Sequence, residues 1–313
     1  MSSSSATMPA PAPAQVSAPI STFQAFYWSV RRELWENRFV YIGPIALGVL
    51  FLAGFLISAF KLPGRMRGIG AISPNHLHDA VNLPYDFAAG LMMLATILIS
   101  IFYCVDALHS ERRDRSILFW KSLPVSDTTA VLAKATIPLI VEPLLTFVIA
   151  VAMQLMMLVI SSVALAVSGI SPASLWTHVP MLTMSGLLLY HLLAAHTLWP
   201  APVYCWLLLV SGWARRAVFL WAVLPLIAIA GIEGLIFRTM HFAKLVGTRV
   251  IGGASNTEMA SPGVFPTNPM VHITPGRYLL TPQLWIGLII AAAFLFAAIR
   301  LRHSRGPVYP EQA

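Results

Sequence analysis

Charge is scarce in this chain of 313 residues: Asp, Glu, Lys and Arg make up 10% of it, while hydrophobic residues make up 58%. A typical soluble domain is roughly 25% charged, and a water-facing surface of this size cannot be covered with so few charges. Cysteine is scarce too. Two cysteines make no disulfide framework, which excludes a small secreted scaffold. The phosphate-binding loop G-x-x-x-x-G-K-[ST] is missing, so any dependence on ATP must come from another chain. Neither an HExxH metalloprotease motif nor a recognisable Ser-His-Asp hydrolase arrangement occurs. Beyond residue 20 the chain is too apolar for long disorder. What remains is an integral membrane protein, expected to catalyse no covalent chemistry itself.

The net charge of +8 is read accordingly. Basic residues lie at the ends of apolar stretches rather than in a compact domain, so no nucleic-acid partner is expected.

A hydrocarbon core of about 30 Å takes about twenty apolar residues as a helix. Six stretches qualify: Phe39–Phe60, Phe87–Ala107, Ala135–Ile160, Pro180–Val210, Ala217–Phe237 and Pro282–Leu301. Helices are expected because lipid cannot satisfy free backbone groups and no stretch alternates like a barrel strand. The predicted class is an all-α polytopic membrane protein. The fourth stretch is too long for one straight crossing. A turn at Pro200 and Pro202 would push Arg215 and Arg216 into lipid, at about 2.5–3.5 kcal/mol per central arginine. A single kinked span that protrudes into the cytoplasm and ends at Ser211-Gly212 is cheaper. Six spans place both termini on one side, and thirteen of the twenty Lys and Arg residues fall there. The positive-inside rule makes that side the cytoplasm, and the inner membrane the expected location.

Residues 1–20 form a Ser, Ala and Pro tract without charge, read as an uncleaved disordered tail rather than a signal peptide. Ser21-Thr22-Phe23-Gln24 matches a capping box, and Phe23, Phe26, Tyr27, Val30 and Leu34 form one helical face against Gln24, Arg31, Arg32 and Glu36. Residues 21–38 are therefore expected to lie along the membrane as an amphipathic helix, with a cytoplasmic extension of the first span as the alternative. The six-span domain then covers 39–303, with an inner loop at 108–127 and an outer loop at 238–281. A cytoplasmic tail follows at 304–313.

The inner loop has unusual chemistry for a connector. A charged cluster from Glu111 to Arg115 runs directly into Ile117-Leu118-Phe119-Trp120. Pro124 ends that helix, and Ser126 or Asp127 can cap the next. Charges at one end and a bulky apolar patch at the other suit docking to another protein. The same composition also suits a basic connector with its aromatics among the headgroups.

This loop resembles the one after the second span in permeases of type-2 ABC transporters, with the approximate pattern E-R/K-x-x-G-T/S-L/I … L-P-V/I-S … K. The chain supplies Glu111, Arg112, Ser116, Ile117, Leu123, Pro124, Val125, Ser126 and Lys134 in matching order. The motif is short and tolerant; with the six spans and N-terminal helix, the resemblance covers about residues 21–303. Arg115 departs from it, standing where the family usually has glycine, and this predicts a continuous helix in place of a tight turn. The resemblance implies a permease subunit that pairs with a second permease chain, identical or different. Each would dock a separate cytoplasmic ATPase subunit carrying ATP and Mg, and the pair would export a substrate. It implies that Glu111, Arg112, Arg113, Arg115, Ile117, Leu118, Trp120 and Lys121 make the ATPase contact. It also suggests that the last outer loop is a gate-like cap.

Ionisable groups inside a bilayer are costly and are functional candidates by default. Glu142, between Pro138 and Pro143, reads either as a pathway carboxylate or as a structural one bonded to a carbonyl freed by proline. Glu233 lies near the outer end of the fifth span. His191 and His196 are five residues apart, about 140° around a regular α-helix, which argues against a shared metal. His76, His78 and Asp79 offer three possible metal ligands in the first outer loop. The methionines read as packing residues, and Cys104 and Cys205 as structural. No cofactor and no metal is expected on this chain. Two rival readings are an ion-coupled transporter using Glu142 and Glu233, and a membrane anchor that recruits a partner without transporting.

Overall fold

The computed structural model describes residues 21–64, 74–122, 125–251 and 275–304. Every described element is helical, and six helices are long and apolar enough to cross a membrane. The protein is an all-α polytopic membrane protein.

The N-terminal helix α1 (Thr22–Glu36) opens on the expected capping box, in which the Ser21 hydroxyl accepts from the Gln24 N–H and the Gln24 side chain returns to Ser21. It ends at Asn37, and a separate helix α2 (Phe39–Ala59) begins two residues later, so α1 does not simply extend the first span. Its buried residues are Ser29 and Glu33, and Phe23 and Tyr27 of the face expected against the membrane are exposed. Val30 and Leu34 of that same face pack against the core beside them.

Helix α3 (Pro74–Asp106) is followed by two short helices, α4 (His109–Arg113) and α5 (Ser116–Ser122). Helix α6 (Asp127–Thr136) starts on Ser126, whose hydroxyl accepts from the Thr129 N–H. It runs through a π-helical turn, Ile137–Val141, into α7 (Glu142–Val167). Pro143 has no N–H for the ladder, and the widened turn absorbs the defect: the Glu142 N–H reaches back to Ile137 O. Short helix α8 (Ala173–His178) precedes α9 (Met181–Leu193). A second π turn, Ala194–Leu198, and Pro200 separate α9 from α10 (Ala201–Trp213).

The long fourth stretch is therefore one bent path. Met184, Leu188 and Leu192 of α9 pack with Leu158 and Leu165 of α7, far from the charged end. At the foot of α10, by contrast, Gly212 lies against Leu108, where a Cβ would sit 3.3 Å from Leu108 Cδ1. The bend falls at the π turn and proline, within the stretch.

Helices α2, α3 and α7 form the largest packed group around Met92, Met153 and Met157. Gly48 lets α2 approach, since a Cβ there would stand 3.2 Å from Met92 Cε. Helix α11 (Val218–Phe237) is largely bare, burying only Val218 and Ala222. It is tied to α10 by the Trp206 indole N–H bonded to Ala222 O at 3.0 Å.

Two further helices lie beyond α11: α12 (His241–Ile251) and α13 (Pro275–Leu280). They precede the last span, α14 (Pro282–Ser304). Residues 252–274, most of the loop expected to act as a cap, lie outside the described residues, as do the side chains of His76, His78 and Asp79. Glu233 caps α12, accepting from the backbone N–H groups of His241 and Phe242 at 2.8 Å each and from the Thr239 hydroxyl. Arg249 then anchors α12 to the bend. Its guanidinium stacks 4.2 Å from the centre of the Trp199 ring and donates to Trp199 O and Gln283 O. Burial lowers its pKa. The Trp199 carbonyl is available because the Val203 N–H bonds Pro200 O instead. Gly287 leaves the space: a Cβ there would lie 2.8 Å from Arg249 Cζ.

Gly287→Ala should push the guanidinium off both carbonyls. The expected loss is about 1–3 kcal/mol, read as a lower melting temperature in mild detergent and faster proteolysis around 241–251. An unchanged melting curve and cleavage pattern would show that this anchor carries no stability.

Candidate functional site

The charges that this chain does have converge at one end of the bundle. Glu33 of α1, Glu111 of α4 and Lys134 of α6 are 0%, 4% and 2% exposed. Lys134 Nζ lies 2.9 Å from Glu33 Oε2 and 3.1 Å from Glu111 Oε1. Arg32 closes the other side at 2.6 Å from Glu33 and 3.2 Å from Glu111. Arg302, near the end of α14, pairs with Glu111 through Nη1 and with Asp127 through Nε at 3.1 Å. The Tyr103 hydroxyl donates to Glu33 Oε2 at 3.1 Å. With Glu36 3.6 Å from Arg32 Nε, four carboxylates meet three fixed cations, and five helices are joined through their side chains. Buried charge is tolerable only when matched and hydrogen-bonded in this way. Burial opposes the charge on Arg32, but Glu33, Glu36 and Glu111 outweigh it and raise its pKa. The Glu36 carboxyl is itself held above its usual value, chiefly by burial.

Helices α4 and α5 sit on this base. Arg112 turns inward, donating to Gly212 O at 2.7 Å and Ala214 O at 3.2 Å at the foot of α10. Ile117 is buried. Between the helices, Arg115 adopts φ +60°, so the continuous helix predicted here is not formed. A sharp turn occupies the place where the family usually has glycine, and an arginine takes the left-handed conformation that glycine adopts at least cost.

The eight residues expected to contact an ATPase therefore divide. Glu111, Arg112 and Ile117 are turned into the chain. Leu118, Arg113, Arg115 and Lys121 are exposed, and Trp120 is half-buried under the Arg32 guanidinium, 3.9 Å from its ring centre. Leu118 at 56% and its neighbour Phe119 at 60% exposure form the apolar tip of α5. Arg113 pairs with Asp114 at 3.0 Å.

Sequence reasoning left Glu33 out of this constellation, although the signal was available. It stands three residues after Val30 and seven after Phe26, on the side of α1 read as apolar, where an acid needs a buried cation. Arg302 and Lys134 were legible only as a basic flank and a motif position.

Within the bundle, Glu142 is fully buried. The Ser100 hydroxyl donates to its Oε2, whereas Oε1 has no hydrogen-bond partner. The expected structural partner, a carbonyl released by proline, is thus replaced by a serine from α3. Further polar layers follow along the α3–α7 contact: Thr96 with Thr146 at 2.9 Å, then the Gln154 amide donating to Tyr85 O at 3.1 Å. Cys104 and Cys205 are buried.

His191 and His196 each engage a carbonyl of their own helix through Nδ1, Leu187 O at 2.7 Å and His191 O at 3.2 Å. The π turn that holds His196 departs from the regular α-helix on which the 140° separation was reckoned. Among the described residues no group of three or more His, Cys, Asp or Glu is placed to hold a metal ion.

Comparison with protein-family models, with curated proteins and with solved structures returns no match for this chain.

Two substitutions test the base. Lys134→Met leaves two buried carboxylates short of a cation and should destabilise by about 3–5 kcal/mol; adding Glu33→Gln should recover a large part of that loss. Thermal unfolding of both variants in nanodiscs measures this, and purely additive losses would refute the coupling. Arg115→Gly should raise stability by about 0.5–1 kcal/mol on the same assay by relieving the left-handed turn; a lower melting temperature would show that the arginine side chain outweighs its backbone strain.

Proposed function

We propose that the chain is the membrane-spanning permease subunit of an ATP-driven ABC transporter. In this reading it exports a substrate across the inner membrane by alternating conformations. It works beside a second permease chain, the same or a different one, with both termini in the cytoplasm. ATP and Mg belong to a separate cytoplasmic ATPase subunit, and this chain contributes no covalent chemistry.

The observation that carries the reading is the construction of the α4–α5 loop. A surface that transmits force needs an exposed tip and a rigid base. Here the tip is Leu118 and Phe119, and the base is the Glu111–Lys134–Arg302–Glu33 network. A loop that merely connected two spans would need neither a buried ion cluster beneath it nor exposed apolar side chains at its end. Arg113, Arg115 and Lys121 surround the tip with positive charge, suited to an acidic partner surface. Glu111, Arg112 and Ile117 then act by positioning the loop rather than by touching the ATPase.

A specific observation also favours an ion-coupled transporter: Glu142 is buried within the bundle with one carboxylate oxygen lacking a hydrogen-bond partner, and ionisable groups inside a bilayer mark ion pathways and proton relays. Glu233 fits that role less well, since it caps α12.

Isolation from the native host in mild detergent separates the readings. The permease reading expects a stoichiometric ATPase subunit in the eluate. Leu118→Ala with Phe119→Ala should remove that subunit and its ATP hydrolysis. Because both side chains are exposed, stability should change by no more than about 0.5 kcal/mol per site. An assembled preparation with no ATPase, whose transport fails on Glu142→Gln, would overturn the permease reading in favour of the ion-coupled one.

A further inference from the structure

A cavity of about 620 Å³ opens at the charged end, between α1, α5, the start of α6 and the end of α14. Basic side chains reach it from three of these elements, Arg32, Lys121, Arg300 and Arg302, with the His303 ring beside them. Among the described residues its lining carboxylate is Asp127, already shared by Arg302 at 3.1 Å and His303 at 3.3 Å. In the network beneath, Arg32, Lys134 and Arg302 are engaged by Glu33, Glu36, Glu111 and Asp127. Lys121 and Arg300 add two more basic side chains to the wall, so that four Lys and Arg residues face one carboxylate among the described lining residues. Lys121 leans across it, donating to His303 O at 3.3 Å, and Arg300 lies over the Phe296 ring. Ser126 also lines the space, while Val125, Ala130 and Ile299 give it an apolar wall.

Such a lining selects an anion attached to something apolar. The neighbouring surface points to its source. Helix α1 exposes Phe23, Tyr27, Trp28 and Trp35, and Arg31 lies 5.0 Å and 4.7 Å from the two indole rings. Aromatic rings interleaved with arginine at the end of membrane-spanning helices mark the headgroup level of a bilayer. A cationic, partly apolar cavity beside that belt lies where lipid phosphates are concentrated.

We propose that this cavity is a binding site for the phosphate of an anionic lipid headgroup. The phosphate sits among Lys121, Arg300 and the outward edges of Arg32 and Arg302, with the glycerol against Val125, Ala130 and Ile299. Bound there, the lipid bridges α1, α5 and α14, and so braces the loop carrying Leu118 and Phe119. The assignment depends neither on an ATPase partner nor on which side of the membrane the charged end faces.

The test uses the full chain in nanodiscs of equal parts phosphatidylglycerol and phosphatidylcholine, released into a native mass spectrometer. Wild-type protein should retain phosphatidylglycerol in preference to phosphatidylcholine. Lys121→Ala with Arg300→Ala should weaken that preference by about tenfold, whereas Arg113→Ala, which removes an exposed cation outside the cavity, should leave it intact. Equal retention by wild type and the double variant, both with wild-type melting temperature, would overturn the site. Complete displacement of the lipid by excess inorganic phosphate would also overturn it, making a soluble phosphate the ligand. Loss of a co-purifying ATPase with lipid retention unchanged would assign the cavity to a protein interface instead. Lipid preference lost while an ATPase stays bound would support the site and leave the permease reading standing.

Discussion

Glu111 has almost no access to water and two oxygens that must be matched, and the organisation of the charged end follows from that constraint. Its carboxylate draws Lys134 from α6, Arg302 from α14 and Arg32 from α1. Glu33 then balances Lys134 and Arg32, and Asp127 balances what remains of Arg302. Removing any one member strands a charge in a low-dielectric site, so the set persists as a unit. The gain from such a cluster over apolar packing is small. What it provides is geometry, because each carboxylate accepts only from donors in fixed directions, whereas apolar contacts tolerate sliding.

The middle of the bundle is governed by the opposite problem, a shortage of backbone partners. Pro143 and Pro200 each remove a donor from a ladder that lipid cannot complete. Both helices respond with a π turn next to the proline, Ile137–Val141 and Ala194–Leu198, and these two turns pack near each other. Freed or shared carbonyls then become acceptors for side chains from elsewhere. Tyr278 donates to Ala194 O at 2.8 Å, Arg249 donates to Trp199 O, and Thr197 reaches back to Leu192 O. The far-end helices α12 and α13 are therefore held by the bend itself, and straightening the bend would release them.

Spans were legible because length and hydropathy alone decide whether a helix can cross a bilayer, and each of the six stretches corresponds to a helix long enough to do so. The α1 capping box and the Ser126 cap were legible for a similar reason, being local hydrogen-bond patterns with fixed offsets. The bend in the fourth stretch was foreseen from its length, but not its π geometry, since prolines announce a defect without stating how the ladder absorbs it. Arg115 misled for a related reason. Propensity places an arginine in a helix, yet the neighbouring anchors, Arg112 on the Gly212 carbonyl and Ile117 in the interior, require the chain to turn between them. Tertiary demand outweighed local preference. Glu33 and Arg302 were hidden because their significance lies in partners seventy or more residues distant along the chain, which a single sequence does not pair.

Anchoring and bending together determine how a displacement at the α4–α5 tip would spread. Glu111 and Arg112 are one residue apart but tied to different helices, the first to α1, α6 and α14, the second to the foot of α10. A force on Leu118 and Phe119 therefore cannot move α5 alone. It is delivered to the charged-end halves of at least four helices at once. Two of these, α6 and α10, pass into π turns before reaching the far half of the bundle. A helix with a defective ladder bends there more readily than where its hydrogen bonds are complete. The charged-end halves can then rock as one body while α7 and α9 stay packed around Met153 and Met184. On the permease reading, the ion network makes the push collective and the two bends convert it into a change of angle between the halves of the bundle.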